Sequence, residues 1–171
     1  FVHIKLLDDD CNEVPEGESG EICVRGPICM DGYHHNPEQT EQVFAGGWLH
    51  TGDVGRFDDD GFLYIVDRKK DMVIRGGENI YCAEVERALD LHPSVRESAA
   101  FGEPDDRLGE RVVAVVCLEA DQSASEEEIL GSLDAHLARY KVPKKLTITH
   151  TPLPRNPSGK IIKRQVRGDY T

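Results

Sequence analysis

The stretch Asp67-Arg68-Lys69-Lys70-Asp71-Met72-Val73-Ile74-Arg75-Gly76-Gly77-Glu78-Asn79-Ile80 separates two differently patterned parts of this chain. It runs from clustered charge through a short apolar segment to a Gly-Gly turn. Charge is at home on an exposed connector, and paired glycines let a backbone turn tightly or approach a ligand closely. Upstream, the residues read as short strands and turns; downstream, helix-like and strand-like periods alternate. The expected fold class is therefore α+β. A small antiparallel β subdomain covers residues 1–66, a short hinge lies at about 67–70, and a compact α+β domain with about three helices covers 67–171. The hinge would leave the orientation of the two parts variable.

Upstream, residues 1–7 alternate as a strand, and 8–19, with Pro15 and Gly17, form a turn region. Residues 21–25 form a short strand. Asn36-Pro37 starts a helix that runs to about Phe44 and stops at Gly46-Gly47. Residues 48–50 and 54–57 are two strand pieces flanking Thr51-Gly52-Asp53. Asp58-Asp59-Asp60-Gly61 is a solvated hairpin turn without calcium-loop spacing, and 62–66 return as a strand. Downstream, 72–74 form a strand and 83–91 a helix with Val85, Ala88 and Leu89 on one face. Strands 95–101 and 111–118 follow, the second Val-rich and central, joined by a polar loop over 102–109. Ser125-Glu126-Glu127-Glu128 is a capping box that opens a helix to about Arg139, with Ile129, Leu133 and Leu137 as core. A strand over 146–149, a loop over 152–159 and a short terminal helix beginning at 160–166 complete the chain.

Composition narrows the functional classes. With 171 residues, of which 39% are hydrophobic, the chain can bury a core, and no apolar run approaches the roughly 18–20 residues of a membrane span. Its net charge of −12 argues against a general nucleic-acid binder. Nine of the 20 Lys and Arg residues lie from Arg139 onward, where Asp169 is the only acid, so this end suits a polyanion. The five cysteines show no Cys-x-x-Cys spacing and read as reduced thiols. With His34-His35 the one histidine pair, no metal site is expected. No secretory signal is visible, and the expected location is cytoplasmic. The opening Phe1-Val2-His3-Ile4-Lys5, without an initiator Met, reads as the middle of something longer.

Three further segments give the organising stretch a context. Gly20-Glu21-Ile22-Cys23-Val24-Arg25-Gly26, with Gly32-Tyr33, comes first. Gly47-Trp48-Leu49-His50-Thr51-Gly52-Asp53 follows, and Asn156-Pro157-Ser158-Gly159-Lys160-Ile161 comes last. As an ordered set these motifs resemble the adenylate-forming superfamily of acyl-CoA synthetases, aryl-CoA ligases, luciferases and peptide-synthetase adenylation domains. The resemblance runs nearly from Phe1 to Thr171, and matches only the C-terminal part of a full enzyme.

Joining a carboxylic acid to ATP brings two anions together, so cationic stabilisation matters most. Lys160 looks like the family's adenylation lysine, able to bridge carboxylate and phosphate oxygens. It is not a Walker lysine, since Gly-x-x-x-x-Gly-Lys-Ser/Thr is absent. The resemblance implies that Asp53 binds the ribose hydroxyls, and that Arg68 lies near ribose and phosphate. Lys70 takes the hinge position. Gly76 and Gly77 would line the pantetheine passage of coenzyme A once the domain has rotated. Charge asymmetry adds Lys141, Lys144 and Lys145 as contacts for the coenzyme's phosphates.

The implied function is an ATP-dependent, AMP-forming carboxylic acid–CoA ligase, with a fatty acid as the expected substrate. Its cofactors would be ATP, coenzyme A and Mg2+, with the magnesium ligands outside this sequence. The phosphate-holding Ser/Thr/Gly-rich loop and the acyl pocket are absent, so the chain alone is expected to be inactive. It would need the missing N-terminal domain as partner. Two alternatives remain: an adenylation domain delivering to a carrier protein, which an end at Thr171 disfavours, or a non-catalytic nucleotide- or coenzyme-binding module. In a bare fragment, self-association would cover surface left by the missing domain.

Overall fold

The computed structural model describes residues 1–170, which fall into two compact units, the first Phe1–Lys70 and the second beginning at Asp71. The first unit is a four-stranded antiparallel sheet in the order β1-β2-β3-β4. Its strands are β1 (His3–Leu7), β2 (Gly20–Arg25), β3 (Leu49–Phe57) and β4 (Leu63–Arg68). Its buried apolar set is small: Leu6, Leu7, Ile22, Cys23 and Val54. Large apolar side chains such as Ile65, at 67% exposure, face outward. Helix α1 (Pro37–Val43) begins as the sequence indicates: the Asn36 side chain accepts from the Gln39 N–H, and proline takes the first turn.

β3 is one strand where the sequence suggested two pieces. Gly52 has φ +75°, a left-handed conformation that side chains resist, and the β2 and β4 pairings shift register near it. A bulged strand therefore passes through Thr51-Gly52-Asp53 without a break. In the following turn, Asp58 Oδ1 accepts the backbone N–H groups of Asp60 (3.1 Å) and Phe62 (2.8 Å), so its carboxylate shapes the hairpin.

The second unit is a five-stranded sheet with helices on both faces. Its strands are β5 (Val73–Arg75), β6 (Glu78–Ile80), β7 (Val95–Asp105), β8 (Gly109–Leu118) and β9 (Lys145–Thr149). The order is β6-β5-β8-β7, with β9 also paired to β8, in parallel. Because side chains alternate along a strand, the Val-rich β8 supplies two cores. Val112, Ala114 and Val116 pack with Val85, Ala88 and Leu89 of α2 (Cys82–Leu89), and with Ile129 of α3 (Glu126–Ser132), Leu133 and Leu137. Val113, Val115 and Cys117 pack with Ala99, Phe101, Leu153 and Val166, the last on α4 (Lys163–Tyr170).

Four local expectations change. β6 was missed. The region 102–109 is mostly strand: β7 runs to Asp105, and Pro104 is tolerated because β7 is an edge that needs no N–H there. α3 has the expected capping box but stops at Ser132. Gly131 is a weak helix former, the Ser132 hydroxyl donates back to the Ile129 carbonyl (2.7 Å), and Leu133–Ala135 tighten into a 3₁₀ turn. α4 begins at Lys163, so Lys160 stands on the loop before it.

Among the described residues no helix is long and apolar enough to cross a membrane. All five cysteines are free thiols.

Candidate functional site

In the first unit the structure brings Asp53 and Arg68 together. They face each other across β3 and β4, and Arg68 Nε donates to Asp53 Oδ1 at 2.8 Å. Thr51, Gly52, Arg68, Lys69 and Lys70 line a cavity of about 380 Å³ beside them. One Asp53 oxygen thus holds the arginine, and its other oxygen keeps lone pairs that suit the neighbouring hydroxyls of a ribose. Lys70 is exposed, in a 3₁₀ turn over Lys69–Asp71 at the boundary between the units.

A buried glutamate that was given no role from the sequence holds this corner in shape. Glu21 Oε1 accepts the Gly52 N–H (3.0 Å), and Oε2 meets His50 Nδ1 (3.0 Å) and Lys69 Nζ (2.9 Å). Burial alone would raise the Glu21 carboxyl, but the bonds from His50, Lys69 and Gly52 outweigh it and hold it below the ordinary carboxylate range. The Thr51 hydroxyl adds a second brace: it donates to the Ile22 carbonyl (2.8 Å) and accepts the Asp53 N–H (3.1 Å). An acid in an otherwise apolar strand, Glu21-Ile22-Cys23-Val24, was the available sequence signal.

Glu21, Cys23 and His50 have ligand atoms within 4.8 Å of one another, the one such trio among the described residues. It is a poor cation site. The Lys69 ammonium already neutralises the carboxylate, and burial pushes the Cys23 thiol up to about 12. A thiol and an imidazole also suit magnesium badly, since that ion prefers oxygen.

The other candidates lie in the second unit. Gly76 and Gly77, at φ +61° and +87°, form the tight turn between β5 and β6, and the Gly76 N–H donates to the Leu108 carbonyl at 2.8 Å. A methyl group built on Gly77 would meet nothing within 4 Å, so the surface above it is open. Lys144 and Lys145 are exposed. Lys141 is only 18% exposed, and its Nζ bonds both Glu84 oxygens at 2.8 and 2.7 Å, which commits it to an internal pair.

Lys160 is exposed at the end of a hairpin closed by the Arg155–Ile161 bridge. Its N–H donates to Asn156 Oδ1 and its carbonyl accepts the Asn156 N–H, both at 2.9 Å. The backbone is pinned while the ammonium is left to solvent.

The first unit thus offers an acid–arginine pair beside an open cavity, and the second a lysine presented on a braced hairpin. The chain belongs to the adenylate-forming superfamily: residues 84–160 match the model of the AMP-binding enzyme C-terminal domain. It is 45% identical over 165 residues to a long-chain-fatty-acid–CoA ligase of Escherichia coli O6:H1, covering 96% of this chain and 29% of the relative. It is 47% identical over 167 residues to a feruloyl-CoA synthase of an Amycolatopsis species, covering 98% and 34%. Among solved structures, ATP-bound MatB from Rhodopseudomonas palustris superposes with a TM-score of 0.90 at 39% identity, covering 99% of this chain and 34% of that one. The chain thus spans about a third of the length of the relatives it matches.

Proposed function

We propose that this chain is the C-terminal part of an ATP-dependent, AMP-forming carboxylic acid–CoA ligase, inactive without the N-terminal part. Residues 1–66 would close the large domain, and 67–171 would form a mobile one. The Asp53–Arg68 pair at 2.8 Å, beside its cavity, carries this reading. Asp53 accepts from the ribose hydroxyls, and Arg68 supplies positive charge on the phosphate side. ATP, when bound, supplies the leaving pyrophosphate. Lys160 lowers the barrier by holding negative charge as the carboxylate meets the α-phosphate. Rotation at Lys70 then exchanges Lys160 for the open surface over Gly76 and Gly77, where the coenzyme's pantetheine arm passes. Exposed Lys144 and Lys145 suit the coenzyme's phosphates, whereas Lys141 joins them only by leaving Glu84. The acid is a fatty acid, a reading supported by the E. coli relative's name. Magnesium is held outside these residues, and the enzyme is cytoplasmic.

The test is hydroxylamine trapping of acyl-adenylate, over a panel of fatty and aryl acids, in this chain and in the full-length protein that carries it. Activity is expected only in the full-length protein, abolished by Lys160→Ala and retained by Gly77→Trp, which should instead block thioester formation. Adenylate from the isolated chain, or none from the full-length protein with any acid, would overturn the reading.

A further inference from the structure

A lysine that stabilises developing charge must be held where that charge appears, and a loop end is a poor place to hold anything. The Lys160 hairpin solves this with two devices, neither of which involves the ammonium. Asn156 Oδ1 accepts three donors: the Lys160 N–H (2.9 Å), the Ser158 N–H (3.1 Å) and the Ser158 hydroxyl (2.8 Å). The Asn156 backbone carbonyl accepts the Gly159 N–H (2.9 Å), and Pro154 accepts the Ile162 N–H (2.8 Å). One side chain therefore fills the loop with bonds that a flexible segment would leave to water.

The second device ties the hairpin to the sheet. Glu97 lies on β7, just past a register shift in the β7–β8 ladder, a bulge of the kind that re-aims a side chain. It is 8% exposed. Its Oε1 accepts the Leu153 N–H at 2.7 Å, and its Oε2 accepts from Arg155 Nη2. Arg155 Nη1 reaches on to the Gly159 carbonyl, next to Lys160. Leu153 is itself buried against the sheet with Phe101 and Val115. Burial would raise the Glu97 carboxyl, yet the Leu153 N–H and the Arg155 guanidinium hold it below the usual range. The planar fork of arginine suits this double task, because it presents separate N–H groups to the two acceptors in a fixed geometry.

We propose that Glu97, Arg155 and Asn156 are positioning residues for Lys160: a buried carboxylate fixes the arginine, and the arginine and asparagine hold one hairpin conformation. The inference rests on the reading of Lys160 as the adenylation lysine. It predicts an effect confined to the half-reaction that uses Lys160.

The variants are Asn156→Ala, Glu97→Gln and the acceptor-preserving Asn156→Asp, with Lys160→Ala alongside, in the full-length protein. Asn156→Ala and Glu97→Gln should lower the adenylation kcat by about 10- to 100-fold, the scale of an ångström-level misplacement, with little change in the KM for ATP. Thioester formation from supplied acyl-adenylate and coenzyme A should keep its rate, and thermal melting should barely move. Asn156→Asp should recover most of the adenylation rate. On this chain alone, trypsin should cut after Lys160 faster in Asn156→Ala than in the parent. Unchanged adenylation in both Asn156→Ala and Glu97→Gln, while Lys160→Ala is dead, would overturn the positioning role. So would equal losses in both half-reactions with a lowered melting temperature. Retained adenylation in Lys160→Ala would instead overturn the role assigned to that lysine.

Discussion

Each unit shapes a loop around a buried glutamate, and the two do so differently. Glu21 holds the Thr51-Gly52-Asp53 bulge, and Glu97 holds the Lys160 hairpin. Both carboxylates accept one backbone N–H and one cation. Around Glu21 the cation is Lys69, next to the proposed pivot, and His50 is a further partner. Around Glu97 the cation is Arg155, a member of the loop being held, which passes the constraint on to Gly159. The first arrangement shapes a corner from a neighbouring segment; the second lets the loop carry its own strut.

Removing each carboxylate tests whether that difference has energetic content. Glu21→Ala strands the Gly52 N–H and removes the partner of His50 Nδ1, while Lys69 keeps its pair with Asp9 at 2.7 Å, so about 2 kcal/mol is expected. Urea unfolding followed by Trp48, the only tryptophan, reads this unit directly. Glu97→Ala strands the Leu153 N–H but leaves Arg155, 45% exposed, free to rehydrate, so about 1–2 kcal/mol is expected. Amide exchange at Leu153 measures it. If Glu97→Ala proved the costlier, the count of stranded partners would not be what ranks the two.

Acid acts on this pair as it does on Asp8, Asp58, Asp105 and Glu128, whose carboxyls are also held low by the hydrogen bonds they accept. Both glutamates are held below their unfolded value of about 4.3, so the unfolded chain binds the protons more tightly. Their contribution is fully present above that value and lost as pH falls through the lower folded value. Stability should therefore decline below about pH 4.3, and Glu21→Gln and Glu97→Gln should each flatten the decline. A profile left unchanged in both variants would refute the assignment.

Effects no larger than that of Glu97→Ala belong to the Gly-Gly turn. Gly76→Ala and Gly77→Ala each meet the left-handed penalty of about 1–2 kcal/mol. Gly76 should cost more, because its added methyl group would lie 3.3 Å from Leu108 Cδ2 while that of Gly77 meets open space. Equal melting temperatures would show that Leu108 yields freely.

Elements written in side-chain pattern were legible before the fold was known. The Val-rich β8, the Ser125 capping box and the spacing of Ile129, Leu133 and Leu137 all mark what the structure buries. The apolar spacing held even where the helix tightened after Ser132, because a 3₁₀ turn keeps the same face inward. What was not legible depends on partners distant in sequence. β6 is three residues long, and two of them, Glu78 and Asn79, are exposed, so only its pairing with β5 makes it a strand. Pro104 hides a strand unless the edge is known. The proposed site residues Asp53, Arg68 and Lys160 rest on motifs, but Glu21 and Glu97 look like ordinary acids until the groups they bind are brought to them from 31 and 56 residues away.

That separation sets the order in which the molecule can assemble itself. The β7–β8 hairpin closes over a three-residue turn, and such local contacts form early. The strut between Glu97 and Arg155 spans 58 residues and must wait for β9 to lie down beside β8 and for Leu153 to dock. During synthesis the sheet can stand complete while its arm for Lys160 is still being made. The Lys160 hairpin is therefore the last of these features to be set, and a chain that stalls short of it leaves the Ala99, Phe101, Val113 and Val115 face of the sheet without its Leu153 and Val166 cover.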